Sequence, residues 1–227
     1  MELGRATWPQ VEDAGGRAVL VLPLGSLEQH GPHLPLDTDT RIASAVAHGL
    51  AARHPDVAVA PPLAFGASGE HAAFPGTLLV RHDVLAEFVV ELVRSSRTAF
   101  AGVALVSAHG GNAEAVEAAR ARCALEGDDV LAWSPSVRGG DAHAGRTETS
   151  LMLAIDPTSV HLERAAVGCT EPLEGLLPRL RSEGVRPVSS NGVLGDPTGA
   201  SAEEGRVILD ALVADALAAV TARWPAA

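Results

Sequence analysis

The chain has 227 residues, 47% of them hydrophobic, a formal charge of −11, no Tyr and no Lys. That length and apolar content suit one domain, residues 1–227, with a sizeable core. The seventeen arginines are scattered, so no cationic patch offers itself to nucleic acid or to an anionic membrane surface. The missing lysine removes Schiff-base and P-loop chemistry.

The first ten residues hold no apolar signal-peptide core, and no apolar run approaches the roughly twenty residues that cross a bilayer. The expectation is a cytoplasmic protein. Cys123 and Cys169 read as reduced thiols, not as a disulfide framework or a zinc ribbon.

In chain order, the apolar run 17–26 predicts a buried parallel strand. The spacing of Ile42, Val46 and Leu50 predicts a helix over 40–53. A second buried strand is expected at 56–63, then a Gly-rich loop at 65–80 leading into an extended piece. Leu85, Phe88, Val89 and Leu92 share one face of an amphipathic helix at 83–100. A strand opening at 102 runs into the tight glycine turn ending at 112. A helix covers 113–127, with Gly127 just past its end. A fourth strand lies at 129–134 and a helix at 147–155. Prolines interrupt 169–184. A long final helix covers 201–224, with Ser201 and Glu204 forming a capping-box pattern. Alternating strands and helices make the fold class α/β, with a mostly parallel sheet. Sites in such sheets lie beyond the carboxyl ends of the strands.

"GSLEQHGPHLPLDTD" (25–39) follows the first strand. In extended chain, residues two apart point the same way, so Glu28 and His30 can reach one ion or two adjacent ions. Carboxylate and imidazole suit Zn²⁺, Fe²⁺ or Mn²⁺. Asp37 and Asp39 precede a helix, where capping or the helix dipole explains one carboxylate more readily than two. A carboxylate there could instead bridge two ions. His33 and Asp37 would orient ligands from behind or face water.

His109 opens "HGGN" at a strand end, with Asn112 closing it. Glu70 and His71, in "SGEH", could line the same crevice. "GGDAHAGRTETS" offers His143 in a flexible Gly-rich loop, suited to moving a proton, and Glu148 in the first turn of a helix, where carboxylates are favoured in any case. His48, His54, His82 and His161 read as surface residues. Nucleophile-elbow, dinucleotide-fingerprint and His-Glu-x-x-His patterns are missing. The residues support a hydrolase with one or two metals, and name no substrate.

Five ordered stretches resemble the creatininase (creatinine amidohydrolase) family: "LPLGSLEQHGPHLPLDTDT", "SGEHAAFPGT", "SAHGGN", "DAHAGRTETSLML" and "GVLGDPTGASAEEG". They run from Leu22 to Gly205. The resemblance implies a three-layer creatininase-like fold and two divalent ions per subunit, Fe²⁺ favoured, Zn²⁺ or Mn²⁺ also suited. It matches Glu28, His30, Asp39 and His109 to metal ligands, with Asp39 as the shared carboxylate, and His143 to the histidine that passes protons. The family glutamate two residues after the His109 position is Gly111 here. Glu148 is the proposed replacement. "FGASGEH" and "VLGDPTGASAEEGR" favour the mycofactocin-system branch, whose members remove a C-terminal Val-Tyr dipeptide from the modified mycofactocin precursor peptide. That implies metal-activated attack of water on an amide, a peptide partner, and a homo-oligomer, a hexamer or octamer. The alternatives are an amidohydrolase for a small cyclic amide or formamide, and a non-catalytic metal- or peptide-binding scaffold.

Overall fold

Val19–Leu24 is six apolar residues long, and all six are buried. A strand buried on both faces belongs inside a parallel sheet. β1 (Val19–Leu24), β2 (Val57–Val59), β3 (Gly102–Ser107) and β4 (Val130–Trp133) form a wholly parallel sheet in the order β2-β1-β3-β4. The helices are α1 (Trp8–Asp13), α2 (Thr38–Arg53), α3 (His82–Ser96), α4 (Ala113–Leu125), α5 (Arg146–Ile155), α6 (Leu173–Glu183), α7 (Val185–Val188) and α8 (Ala202–Arg223). The computed structural model describes residues 1–14 and 16–226.

Alternation along β1 builds three layers. Val19 and Val21 join Ile42, Val46 and Leu50 of α2, Leu151 of α5 and Leu212 of α8. Leu20, Leu22 and Leu24 join Leu85 and Val89 of α3 and Val116 and Ala119 of α4. The chain thus leaves β1 over one face through α2 and returns from β2 over the other through α3. Strand order reverses between β1 and β3, and a crevice opens beyond their carboxyl ends.

Several local expectations shift. The strand expected at 56–63 stops at Val59, because Pro61 and Pro62 have no amide hydrogen for a ladder. The extended piece after residue 65 supplies a single bridge, Leu27 to Leu78. The segment 169–184 contains α6, which carries Pro178 within it. α1 is an addition, started by a Thr7–Gln10 capping box and Pro9. At α8, Ser201 Oγ accepts from Glu204 N at 3.2 Å. The reciprocal half of that box is not formed, since the Glu204 carboxylate takes Arg146 and Ser150 instead. His54 is buried rather than on the surface, its Nε2 3.1 Å from Trp224 O.

Candidate metal centre

The loop after β1 and the start of α2 approach each other because residue 25 is glycine. A Cβ there would collide with Thr40. Asp39, in the first turn of α2, is thereby carried against the end of β1. Its Oδ2 accepts from Ser26 Oγ at 2.7 Å and lies 3.2 Å from His109 Nδ1. Its Oδ1 lies 3.2 Å from His30 Nε2. One carboxylate therefore offers an oxygen to each of two histidines from different strand ends.

Glu28 and His30 follow β1. His30 Nδ1 is 3.1 Å from the Glu28 backbone oxygen; donating there leaves Nε2 to face Asp39 and Glu148. Glu148 Oε2 accepts from Ala144 N at 2.6 Å and stands 3.9 Å from His30 Nε2. Ala144 holds φ +51°, rare for a residue with a Cβ. His143 is not a loose loop residue. Its backbone pairs with Leu194 in both directions, at 3.2 and 2.8 Å, and its side chain is buried.

Gln29 organises the remaining imidazoles. Its carboxamide nitrogen lies 2.9 Å from His71 Nδ1, 3.0 Å from Gly192 O and 3.0 Å from His143 Nε2, and its two hydrogens are assigned to the first two. His71 Nδ1 then accepts and its Nε2 carries hydrogen toward Glu28 Oε1, 3.2 Å away. His143 Nε2 donates to Gln29 O at 2.8 Å. That leaves the His143 Nδ1 lone pair directed to the cluster, 3.9 Å from Glu28 Oε1. Sequence reasoning missed Gln29, because strict alternation would turn it away from Glu28 and His30. Gly31, at φ +66°, turns the chain there, and its amide donates to Gln29 Oε1.

Glu28 carries the fit to a cation. It is fully buried, and neither carboxylate oxygen has a hydrogen-bond partner. The nitrogens of His71 and His109 stand 3.2 Å from Oε1 and Oε2 without hydrogen-bond alignment. A buried charge in that state is costly unless a cation meets it. Three sets of donor atoms lie within 4.8 Å of one another: Glu28, Asp39 and His109; His30, His143 and Glu148; Glu28, His71 and His143. Oxygen and imidazole donors without thiolate suit Zn²⁺, Fe²⁺ and Mn²⁺.

Without ions, protons do part of that work. Burial, with Asp39 nearby and against the pull of His109, pushes Glu28 up to about 7. Burial, with Asp39 nearby and against the pull of His30, does the same to Glu148. Burial opposes charge on His30, yet Asp39 and Glu148 push it up to about 10. Burial likewise opposes charge on His109, and Glu28 and Asp39 push it up to about 9. Asp39 is held well below its usual range by His30 and His109 despite burial. Burial and the charge on His30 lower His71 to about 3 and His143 well below the usual imidazole range.

The other sequence candidates divide. His33 is buried behind the cluster, its Nε2 2.8 Å from Thr149 Oγ1 of α5. Asp37 turns away and pairs with Arg41 at 2.7 Å. Asn112 accepts from Ala67 N and donates to Gly25 O, tying two loops together below the site. Glu70 comes to 3.9 Å from His109 Nε2. A Cβ on Gly111 would lie 2.7 Å from Glu70 Oε1 and 2.6 Å from Ala67 O. The space beside Gly111 is thus taken by Glu70, while Glu148 stands by His30.

Two cavities meet the cluster. One, of about 810 Å³, is lined by Glu28, His109 and His143 and walled by α6. The other, of about 210 Å³, is lined by Asp39, His109, His143 and Glu148.

The profile of the creatininase family, described as creatinine amidohydrolase, matches residues 4–220. A mycofactocin precursor peptide peptidase of Mycobacterium ulcerans is 46% identical over 96% of this chain and 87% of its own. One of Mycolicibacterium smegmatis is 49% identical over 86% and 81%. A crystal structure of creatinine amidohydrolase (creatininase) superposes with a TM-score of 0.81 at 28% identity, covering 99% of this chain and 98% of its own. Similar solved creatininases include a manganese form and a zinc–zinc form. The matched profile, the two peptidases and the shared three-layer α/β architecture place this chain in the creatininase family.

Proposed function

We propose that the chain is a metal-dependent peptidase that cleaves the mycofactocin precursor peptide, releasing a C-terminal Val-Tyr dipeptide. The observation that carries this reading is Glu28, buried without a hydrogen bond among donors that suit a divalent cation. The peptide substrate is supported by the two peptidases of similar sequence. Glu28, Asp39 and His109 would hold one ion; His30, Asp39 and Glu148 the other. Fe²⁺ is the favoured metal, with Zn²⁺ or Mn²⁺ as alternatives. When bound, such ions polarise a carbonyl oxygen and make water acidic enough to attack near neutral pH.

The chain supplies the rest. His143, neutral and with Nδ1 free, takes the proton of the attacking water and returns it to the leaving amide nitrogen. Gln29 O holds His143 Nε2–H and fixes that orientation. Glu148 is steadied by Ala144 N, and Asp39 by Ser26. The larger cavity is of a size that encloses a short peptide end.

The working form in this reading is a cytoplasmic homo-oligomer, a hexamer or octamer, with the whole chain as one domain. Exposed Phe65, Leu78, Leu79, Val84 and Phe88 supply apolar surface for contacts between copies. Among the described residues, no helix is long and apolar enough to cross a membrane.

The test is metal analysis of anaerobically purified protein, then assay on a Val-Tyr-ended peptide and on creatinine, beside Glu28→Ala and His109→Ala. Dipeptide release with metal lost in both variants is expected. Wild-type metal content and rate in both variants would sink the assignment. Creatine formation would favour the small-amide alternative, and neither product the scaffold.

A further inference from the structure

α6 presents its two faces differently. Leu176 and Leu180 are packed into a small core with Val185 and Leu194. Leu173 and Leu177 stay about two-fifths exposed, at 40% and 38%. Both line the 810 Å³ cavity, and so does Arg181. Residues 173, 177 and 181 are four apart, so they form one stripe along the helix. At 1.5 Å per residue that stripe is about 12 Å long, the length of three to four extended residues at about 3.3 Å each. It reads apolar, apolar, cationic.

The charge pattern around it is one-sided. Glu28, Glu70, Glu114 and Glu183 line the same cavity, and Arg181 is the only guanidinium among its lining residues. The Arg181 guanidinium forms no hydrogen bond or ion pair with any described residue. The neighbouring arginine of the same helix, Arg179, faces Glu183 at 3.9 Å. Away from the metal centre that Glu28 and His109 would form, an anionic group entering this cavity meets repulsion from Glu70, Glu114 and Glu183 and attraction at Arg181. A guanidinium matches a carboxylate with two parallel N–H donors.

We infer that Arg181 receives the terminal carboxylate of the substrate peptide, with Leu173 and Leu177 lining the path of the side chains just before it. The inference rests on the peptidase reading and deepens it: the cavity accepts a free C-terminus, and Arg181 sets the register of cleavage. Arg181 is a specificity residue. It does not touch the proton-transfer apparatus of His143.

The experiment compares wild type with Arg181→Gln and Arg181→Lys on one synthetic Val-Tyr-ended peptide, as free acid and as C-terminal amide. A third probe is an amide whose last residue is Glu. Arg181→Gln should raise KM for the free acid about ten- to hundredfold, the worth of a charged hydrogen bond, with kcat within about twofold. Wild type and Arg181→Gln should handle the amide alike, and Arg181→Lys should recover part of the loss. Equal cleavage of acid and amide by wild type would overturn the inference, as would an equal loss on both peptides in Arg181→Gln. So would full recovery with the Glu-ended amide, which would make the site a reader of any carboxylate. Equilibrium binding of Val-Tyr as acid and as amide to the same proteins separates the two ideas. If no peptide is cleaved, the peptidase reading fails, while a preference for the acid that Arg181→Gln abolishes still supports the carboxylate site.

Discussion

Replacing Glu28 by Gln should stabilise the ion-free protein and weaken its response to metal. A carboxyl group that titrates near 4.5 in the unfolded chain and about 7 in the folded one disfavours folding once ionised. At 1.36 kcal/mol for each pH unit of that gap, the cost is on the order of 3 kcal/mol. The sign follows from the direction of the shift. Because the folded value is raised, the cost is zero below pH 4.5, grows as pH rises toward 7, and is complete above it. The stability difference between ion-free wild type and the variant should therefore move against wild type across that window. Gln keeps the shape and removes the charge, and His109 keeps Asp39 as its partner. Its amide hydrogens find few acceptors, so a net gain of about 1–3 kcal/mol is expected at about pH 8. For a chain of this size that corresponds to roughly 2–12 °C in Tm. The assay is thermal unfolding of chelator-stripped protein at about pH 5 and about pH 8, either side of that window, repeated with added Zn²⁺ or Mn²⁺. Wild type should rise on metal addition by more than the variant, which keeps only the His30, Asp39 and Glu148 set, so the two curves exchange order. If Glu28→Gln is less stable than wild type without metal at the higher pH, or gains as much from metal, the account of Glu28 as a cation's partner fails.

Three further outcomes follow from the geometry. His143→Gln should lower kcat by about 10²–10⁴ while metal content stays at the wild-type level, because its Nδ1 is assigned to proton transfer and not to ligation; loss of metal in that variant would move His143 into the ligand set. Gly111→Ala forces a methyl group against Ala67 O, Glu70 and the His109 ring, so it should cost about 1–3 kcal/mol in unfolding free energy and weaken metal binding about ten- to hundredfold by isothermal titration. Asp141 accepts from Thr147 N, Thr147 Oγ1 and Asp196 N; burial pushes its carboxyl up, and the backbone amides of Thr147 and Asp196 hold it below the usual range. That stability is present above about pH 4 and lost as pH falls through the lowered value, so Asp141→Asn should flatten the acid limb of a pH–stability curve and destabilise the protein near neutrality by about 1–2 kcal/mol.

Legibility in the sequence follows the range of the forces involved. β1 and β3 are readable because a parallel strand buried on both faces must be continuously apolar. α8 is readable because Ser201 marks its start. α6 is obscured by Pro178, which packing of Leu176 and Leu180 overrides. The strand expected at 56–63 is too long because prolines remain apolar while ending the ladder. At the site, Glu28, His30, Asp39, His109, His143 and Glu148 are legible as ligand-type residues after strand ends. Asp37 looks equivalent to Asp39 in sequence, yet two positions on a helix turn point to different surroundings, and Arg41 takes it.

The sequence by itself determined the residue types, and so the chemistry: oxygen and imidazole donors, no lysine, and carboxylates in excess. It also determined that these donors stand just beyond apolar strands, because local patterning sets where strands end. Only the tertiary structure decided which donors share a point in space. Asp39 faces two histidines because Gly25 lets α2 approach, Gln29 turns inward because Gly31 bends the chain, and Glu70 occupies the space beside Gly111. Arg181 became meaningful only once α6 was seen to wall the same cavity. These are contacts between segments far apart in the chain. They depend on packing distances of a few ångströms, which no local pattern encodes.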